Sequence, residues 1–409
     1  MSLKGSCRHK SSYDYTPLSA KLIEACYQIR VTKLKELARF LDLSISYTHY
    51  LIKRLYKDTL FRILAFPSYD RIGLRHLRCF LEARHAVSRQ ILLEVLSRHD
   101  FVVHVAQYHG SSAKGIYCEF LVPNNRVNDL TSFLDSLLSH GVIDAYTVHP
   151  IALNNIVIGF EWYDFSTNTW HFKWQDLLKD VLLKVDALKT LHDHEPKHPI
   201  SNVKFDFYDL CILYHLIQNV FTPLSSLALK LGTSPQNLSY HYRNHVLKNE
   251  LIETTRPYWY PFLFEESSPY ILSVEFEDTK ALKGFVGSLQ RKPIAYSYTY
   301  YKRVANPSAM LLGFLPYDEI FELTKVLDLL EDYGLVKNYE YYIIDIYGSK
   351  GKSLPYHRYD EVLGWRFELE PYLEEVLKAA KKAQGDRAKF SAGLIAKLAS
   401  AADSKIESV

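Results

Sequence analysis

The sequence predicts an α+β protein of two tandem copies of one unit, a winged helix-turn-helix followed by a ferredoxin-like βαββαβ sandwich. Three observations carry this. A sequence pattern recurs at a spacing near 190 residues. In each copy, a segment with apolar spacing near 3.6 precedes alternating strands and helices. At 409 residues and 48% hydrophobic, the chain is globular and too long for one ordinary core.

The repeat is collinear. Leu34, Leu37, Ala38, Leu41, Ser44 and Tyr50 recur, shifted by 190, as Leu224, Leu227, Ala228, Leu231, Ser234 and Tyr240. Gly141-Val142-Ile143 is echoed by Gly334-Leu335-Val336, and Trp170-x-Phe172 by Trp365-x-Phe367. The expected domains are 15–66 and 205–262 for the winged helices, and 67–190 and 263–385 for the sandwiches. Polar, proline-bearing 191–204 reads as a linker and Ala/Lys-rich 386–409 as a flexible tail.

In copy one, Leu34, Leu37, Ala38 and Leu41 form an apolar stripe on a short helix, and Ser44 suits the N-cap of the next. That second helix points Thr48, Leu51, Ile52 and Leu55 inward. Ser46, Tyr47, His49, Tyr50, Lys53 and Arg54 face outward, groups able to meet phosphates and base edges in a major groove. Leu60 to Pro67, including Arg62, reads as a small hairpin or wing. In copy two, Ser234 caps a helix with Pro235 at its first position. Leu238, Tyr242 and Val246 suit its buried face. Gln236, Asn237, Tyr240, His241 and Arg243 suit its exposed face, and Thr254 to Tyr260 its wing.

The sandwich of copy one reads as strand Leu77–Ala83, helix Ser88–Leu96, strands Phe101–Tyr108 and Ile116–Val122, helix Asn128–Ser139 and strand Val142–Val148. Copy two gives strand Ile271–Glu277, helix Lys280–Ser288, strands Ile294–Tyr301 and Ala309–Leu315, helix Asp318–Tyr333 and strand Tyr339–Tyr347.

Charge is uneven. Residues 1–100 hold 18 Lys+Arg against 9 Asp+Glu, a net of +9, so the other 309 residues carry −6 of the total +3. The basic first copy predicts a polyanion partner, double-stranded DNA.

Leu43-Ser44-x-Ser46-x-Thr48-x-Tyr50-x-Ile52-Lys53-Arg54-Leu55, then Leu60-Phe61-Arg62, then Tyr69 to Leu74, resembles the Lrp/AsnC (feast/famine) transcription regulators of bacteria and archaea. The resemblance covers about 30–150 well and its echo in copy two loosely. It implies a DNA-binding domain joined to a sandwich that dimerises and senses a small molecule. It also implies either a homodimer or an intrachain pseudo-dimer, with two recognition helices about one helical turn apart on DNA. Family members carry a glycine and a nearby acid in the loop between the central strands. Here His109 to Gly115 keeps glycine without the acid, and Lys302 to Pro307 has neither. That departure argues against amino-acid sensing.

No phosphate-loop, dinucleotide or nucleophile-elbow motif occurs, so neither an enzyme nor a cofactor is expected. The five cysteines are scattered, with no Cys-x-x-Cys pair to suggest a metal site. His192, Asp193, His194, Glu195 and His198 have ligand-type side chains, but in a linker without a rigid frame. No apolar run approaches a membrane span, and a cytoplasmic, nucleoid-associated location is expected. Two alternatives remain open. One is a protein-interaction factor of the transcription machinery. The other is a single-stranded nucleic-acid binder using the tyrosines of 296–301 and 339–342.

Overall fold

The computed structural model describes residues 3, 7–29, 31, 33–83, 85–151, 154–187, 203–302, 307–383 and 385. Most of the expected linker, the tail and the linker histidines lie outside the described residues. So does most of the copy-two loop between the central strands. Among the described residues, no helix is long and apolar enough to cross a membrane.

The fold is mixed α+β. The first half opens with strand β1 (Cys7–Lys10) and helices α1 (Pro17–Gln28), α2 (Leu34–Leu41) and α3 (Ile45–Asp58). Strand β2 (Arg62–Pro67) leads to β3 (Leu74–Glu82), α4 (Ala86–Arg98), β4 (Val102–Gly110), β5 (Lys114–Pro123), α5 (Val127–Ser139) and β6 (Ala145–Pro150). Short strands β7 (Asn154–Asn155), β8 (Tyr163–Asp164) and β9 (Thr169–Phe172) precede α6 (Trp174–Ala187). The second half repeats the order. It runs α7 (Phe207–Gln218), α8 (Leu224–Lys230), α9 (Pro235–His241), β10 (Ile252–Tyr258), β11 (Ser267–Phe276) and α10 (Thr279–Leu289). Then come β12 (Ala295–Lys302), β13 (Pro307–Pro316), α11 (Tyr317–Asp332) and β14 (Val336–Ile344), followed by two-residue strands β15 (Lys350–Gly351), β16 (Tyr359–Asp360) and β17 (Gly364–Trp365).

Local chemistry explains the helical pieces. The Ser44 hydroxyl accepts from the Tyr47 amide at 3.2 Å and Ser234 from the Asn237 amide at 3.1 Å, both as the N-caps expected. Thr48, Ile52 and Leu55 are buried and Leu51 half-buried. Leu238 and Val246 are buried and Tyr242 half-buried.

The two βαββαβ units share one sheet. Its order is β6-β3-β5-β4-β14-β11-β13-β12-β7, with β15 also on β4. Strand β14 joins β4 antiparallel, Ile343 opposite His109. The sheet then curls until its ends meet, the Tyr301 hydroxyl of β12 donating to the Pro150 carbonyl of β6 at 3.1 Å. This nearly closed barrel keeps its four helices outside. Phe80, Tyr108, Tyr117, Ile271, Met310 and Ile344 fill the inside as a separate buried cluster. Alternate strand positions therefore serve two apolar cores, as period-2 geometry requires.

Two expectations are corrected. The wing sequences form no hairpin within a copy. Instead β2 pairs antiparallel with β10 of the other copy, Ala65 opposite Thr255. Among the described residues each is a single strand with no return partner in its own copy, and the cross-copy ribbon satisfies its backbone. The last strand of copy one starts three residues later than expected, because the strand-like Val142 and Ile143 are instead buried in the turn before β6, and that of copy two starts three residues earlier, at Val336.

The tryptophan blocks cross over as well. The Trp170 indole N–H donates to the Pro261 carbonyl of the second half at 3.0 Å. The Trp365 indole N–H donates to the Ile72 carbonyl of the first at 2.7 Å.

Candidate small-molecule site at the barrel mouth

At one mouth of the barrel, the β2–β10 ribbon roofs a cavity of about 250 Å³. Its floor is His76 and Arg78 of β3, Glu119 of β5 and Tyr296 and Ser297 of β12, and the ribbon supplies Phe66, Arg256 and Tyr258. Tyr27, Tyr69, Trp259 and Tyr260 complete an aromatic wall. A second cavity of about 270 Å³ shares Glu119, Tyr258, Tyr260, Tyr296 and Leu312, and adds His104 and Tyr117.

The polar groups form one network. His76 Nε2 lies 2.9 Å from Glu119 Oε2. The Tyr117 hydroxyl donates to Glu119 Oε1. Arg78 is fully buried; its Nε donates to the Tyr117 hydroxyl at 3.0 Å, and its Nη2 stands 3.5 Å from Glu119 Oε1. Its Nη1 reaches Met310 Sδ across the barrel at 3.1 Å. A buried guanidinium needs such a counter-charge, or the fold carries its full desolvation cost.

Burial by itself raises the Glu119 carboxyl, but the His76 hydrogen bond and the charges of His76 and Arg78 outweigh it. The carboxyl is held well below the usual range. Desolvation lowers His104, which stays neutral there. Burial pushes the Tyr117 phenol up, keeping it a hydrogen-bond donor. Two guanidiniums and two imidazoles face the two cavities against the carboxylates of Glu119 and Glu253. The arrangement can hold a flat apolar body, meet an acidic substituent and exchange a proton through His76.

Tyr296 belongs to the tyrosine stretch considered for base stacking, and Phe66, Arg256 and Tyr258 to the expected wings, but the sequence singled out none of His76, Arg78, His104, Tyr117 and Glu119. The residues expected to contact DNA lie elsewhere. Ser46, Tyr47, His49, Tyr50, Lys53 and Arg54 are exposed on α3, with the Tyr47 and Tyr50 rings stacked at 6.1 Å. Ser44 is used as a cap. Arg62 is turned inward, its guanidinium donating to the Tyr56 and Phe61 carbonyls and lying over the Tyr56 ring. In copy two, Ser234 is a cap, and Gln236, Tyr240 and Arg243 are exposed. Asn237 is half-buried, its amide donating to Thr233 at 3.1 Å. His241 does not share that outer face. It is buried, with Nδ1 3.1 Å from Asp209 Oδ1. The β4–β5 loop glycines serve the sheet: a Cβ on Gly110 would lie 2.6 Å from the Tyr342 ring, and one on Gly115 would lie 1.9 Å from the Leu81 carbonyl.

No protein-family model matches the chain. No curated protein matches it either. Among solved structures, the siroheme decarboxylase NirDL is similar over 89% of this chain and 99% of its own, with 11% identity and a TM-score of 0.45. NirDL in complex with an iron-uroporphyrin III analogue is similar over 88% of this chain and 99% of its own, at 11% identity and a TM-score of 0.44. A transcriptional regulatory protein of the ASNC family from Pyrococcus furiosus matches 34% of this chain and 90% of its own, at 18% identity and a TM-score of 0.26. The expectation of a non-enzyme is overturned by this comparison, because the structures that match nearly the whole chain are those of an enzyme. The regulators match only about a third.

Proposed function

We propose that the barrel-mouth cavity binds a flat, aromatic small molecule with an acidic substituent, and that His76, oriented by Glu119, exchanges a proton with it. The observation that carries this reading is the His76–Glu119–Arg78–Tyr117 network, with Arg78 and Tyr117 buried and His76 and Glu119 half-buried, opening onto an aromatic cavity. A carboxylate on the second side of an imidazole sets its tautomer and stabilises the imidazolium that forms when it takes a proton. His76 lines the cavity with the Glu119 carboxylate 2.9 Å from one ring nitrogen, a placement that general acid–base chemistry uses. At about 250 Å³, the space lies just below the usual size of ligand pockets, roughly 300–1,000 Å³. A compact aromatic acid suits it, whereas a macrocycle requires the ribbon to lift.

A second reading concerns α3, whose outer residues from Ser46 to Arg54 are free of the core. We propose that this face contacts duplex DNA, with the pseudo-dimeric sheet holding the helical units. The two readings use different surfaces.

One titration series tests both. The chain is heated with small aromatic carboxylates, with an iron-uroporphyrin III analogue and with mixed-sequence duplex DNA. A fitting acid at 100 times its Kd stabilises the fold by about 2.7 kcal/mol. His76→Gln is expected to keep most of that binding and lose turnover of the bound compound. No stabilisation by any acid, or equal turnover in His76→Gln, would overturn the cavity reading. DNA binding is expected to weaken with salt, with a slope about two smaller in Lys53→Ala/Arg54→Ala. An unchanged slope would overturn the second reading.

A further inference from the structure

The second helical unit contains a cluster that neither reading uses. Asp206 and Asp209 open α7, and His241 and His245 lie on the helix that packs across it. His241 Nδ1 is 3.1 Å from Asp209 Oδ1 and 3.4 Å from Asp206 Oδ2. His245 Nδ1 is 3.0 Å from Asp209 Oδ2. One ligand atom from each of the four residues lies within 4.8 Å of the others.

Three features separate this cluster from an ordinary capped helix. Asp209 is fully buried and His241 nearly so. Among the described residues, the ionic partners of the two carboxylates are these histidines, with no lysine or arginine. The two carboxylates are thus faced by imidazoles alone among the described residues, in a place where burial makes charge costly. A divalent cation offsets both carboxylates. The backbone is also altered at this point. Helix α9 widens into a π-helix over Tyr242–Leu247, an irregularity common at functional sites. In this stretch the His245 ring sits 4.7 Å from that of His241. Asp206 divides its work. Its Oδ1 accepts from the Tyr208 and Asp209 amides, and its Oδ2 faces the cluster.

We propose that Asp206, Asp209, His241 and His245 form a structural site for a divalent transition metal, zinc by its ligand set. Two imidazole nitrogens and two carboxylate oxygens are ligands zinc accepts in a four-coordinate shell. The His-x-x-x-His spacing on one helix presents both rings to one side. Such an ion bolts the first helix of the unit to α9 and fixes the direction of the outer face carrying Gln236, Tyr240 and Arg243. This role is independent of the barrel-mouth cavity.

The test uses the untagged full chain. Metal content is measured after dialysis, and chelator-stripped protein is titrated with Co²⁺ as a visible-spectrum probe, then with Zn²⁺. The expected result is close to one zinc per chain, with intense tetrahedral d–d bands from Co²⁺ that Zn²⁺ abolishes. His245→Ala is expected to weaken Zn²⁺ by at least about 100-fold, since even outer-shell changes cost 10–100-fold. Should that variant not fold, Asp206→Ser keeps a capping oxygen and removes the ligand. Absent tetrahedral bands, or Zn²⁺ affinity unchanged in either folded variant, would overturn the site.

Discussion

His99 shows how one side chain ties the halves together. It is buried, its Nδ1 accepts from the Phe101 amide at 3.2 Å, and its Nε2 faces the Glu368 carbonyl of the second half at 3.0 Å. Both contacts require the neutral ring protonated on Nε2. Desolvation is the main cause that lowers its pKa from 6.5 to about 4. The unfolded chain therefore binds this proton more readily than the folded one. The resulting stability is full above about pH 6.5 and is lost as pH falls toward 4. The gap corresponds to about 3 kcal/mol. Urea midpoints measured across that range are expected to fall with acid in the native chain and to fall less steeply in His99→Phe. Equal slopes would refute this assignment.

At the scale of elements, the joints between copies are strands. The β4–β14 pairing brings Gly110 under Tyr342, where an added Cβ would also lie 2.9 Å from the Tyr341 carbonyl. Backbone on one side and a ring on the other leave nothing flexible to yield. Gly110→Ala is therefore expected to destabilise the chain by at least about 2 kcal/mol, against no more than about 0.5 kcal/mol for Ser111→Ala at the exposed turn. Chemical denaturation compares the two, and equal midpoints would mean that the joint is slack. The β2–β10 ribbon is the second joint and also the roof of the cavity, so a ligand there touches the element that links the helical units.

As a whole molecule, the two halves share a sheet, an inner core and reciprocal tryptophan anchors. A first half ending at residue 195 would expose the β4 edge, the unpaired β2 strand and the inner face of Phe80, Tyr108 and Tyr117. Open edges and a bare apolar face drive association. Residues 1–195 expressed alone are expected to be dimeric or aggregated by light scattering. A stable monomer would show that the shared barrel is dispensable.

The sequence by itself determined the local layer: the collinear repeat, the helix caps at Ser44 and Ser234, and the βαββαβ order of each copy. Those follow from periodicity and capping, which act within a few residues. Only the tertiary structure decided the site. His76, Arg78, His104, Tyr117 and Glu119 occupy the alternate strand positions that a one-faced sheet would turn to solvent. They became an interior because the second copy closes the barrel over them, some 190 residues away. The inward turn of His241 is decided within the second copy, where its partner Asp209 lies on a different helix. Pairings of this kind leave no short-range pattern, because they arise from the free energy of burying one element against another that is remote in sequence.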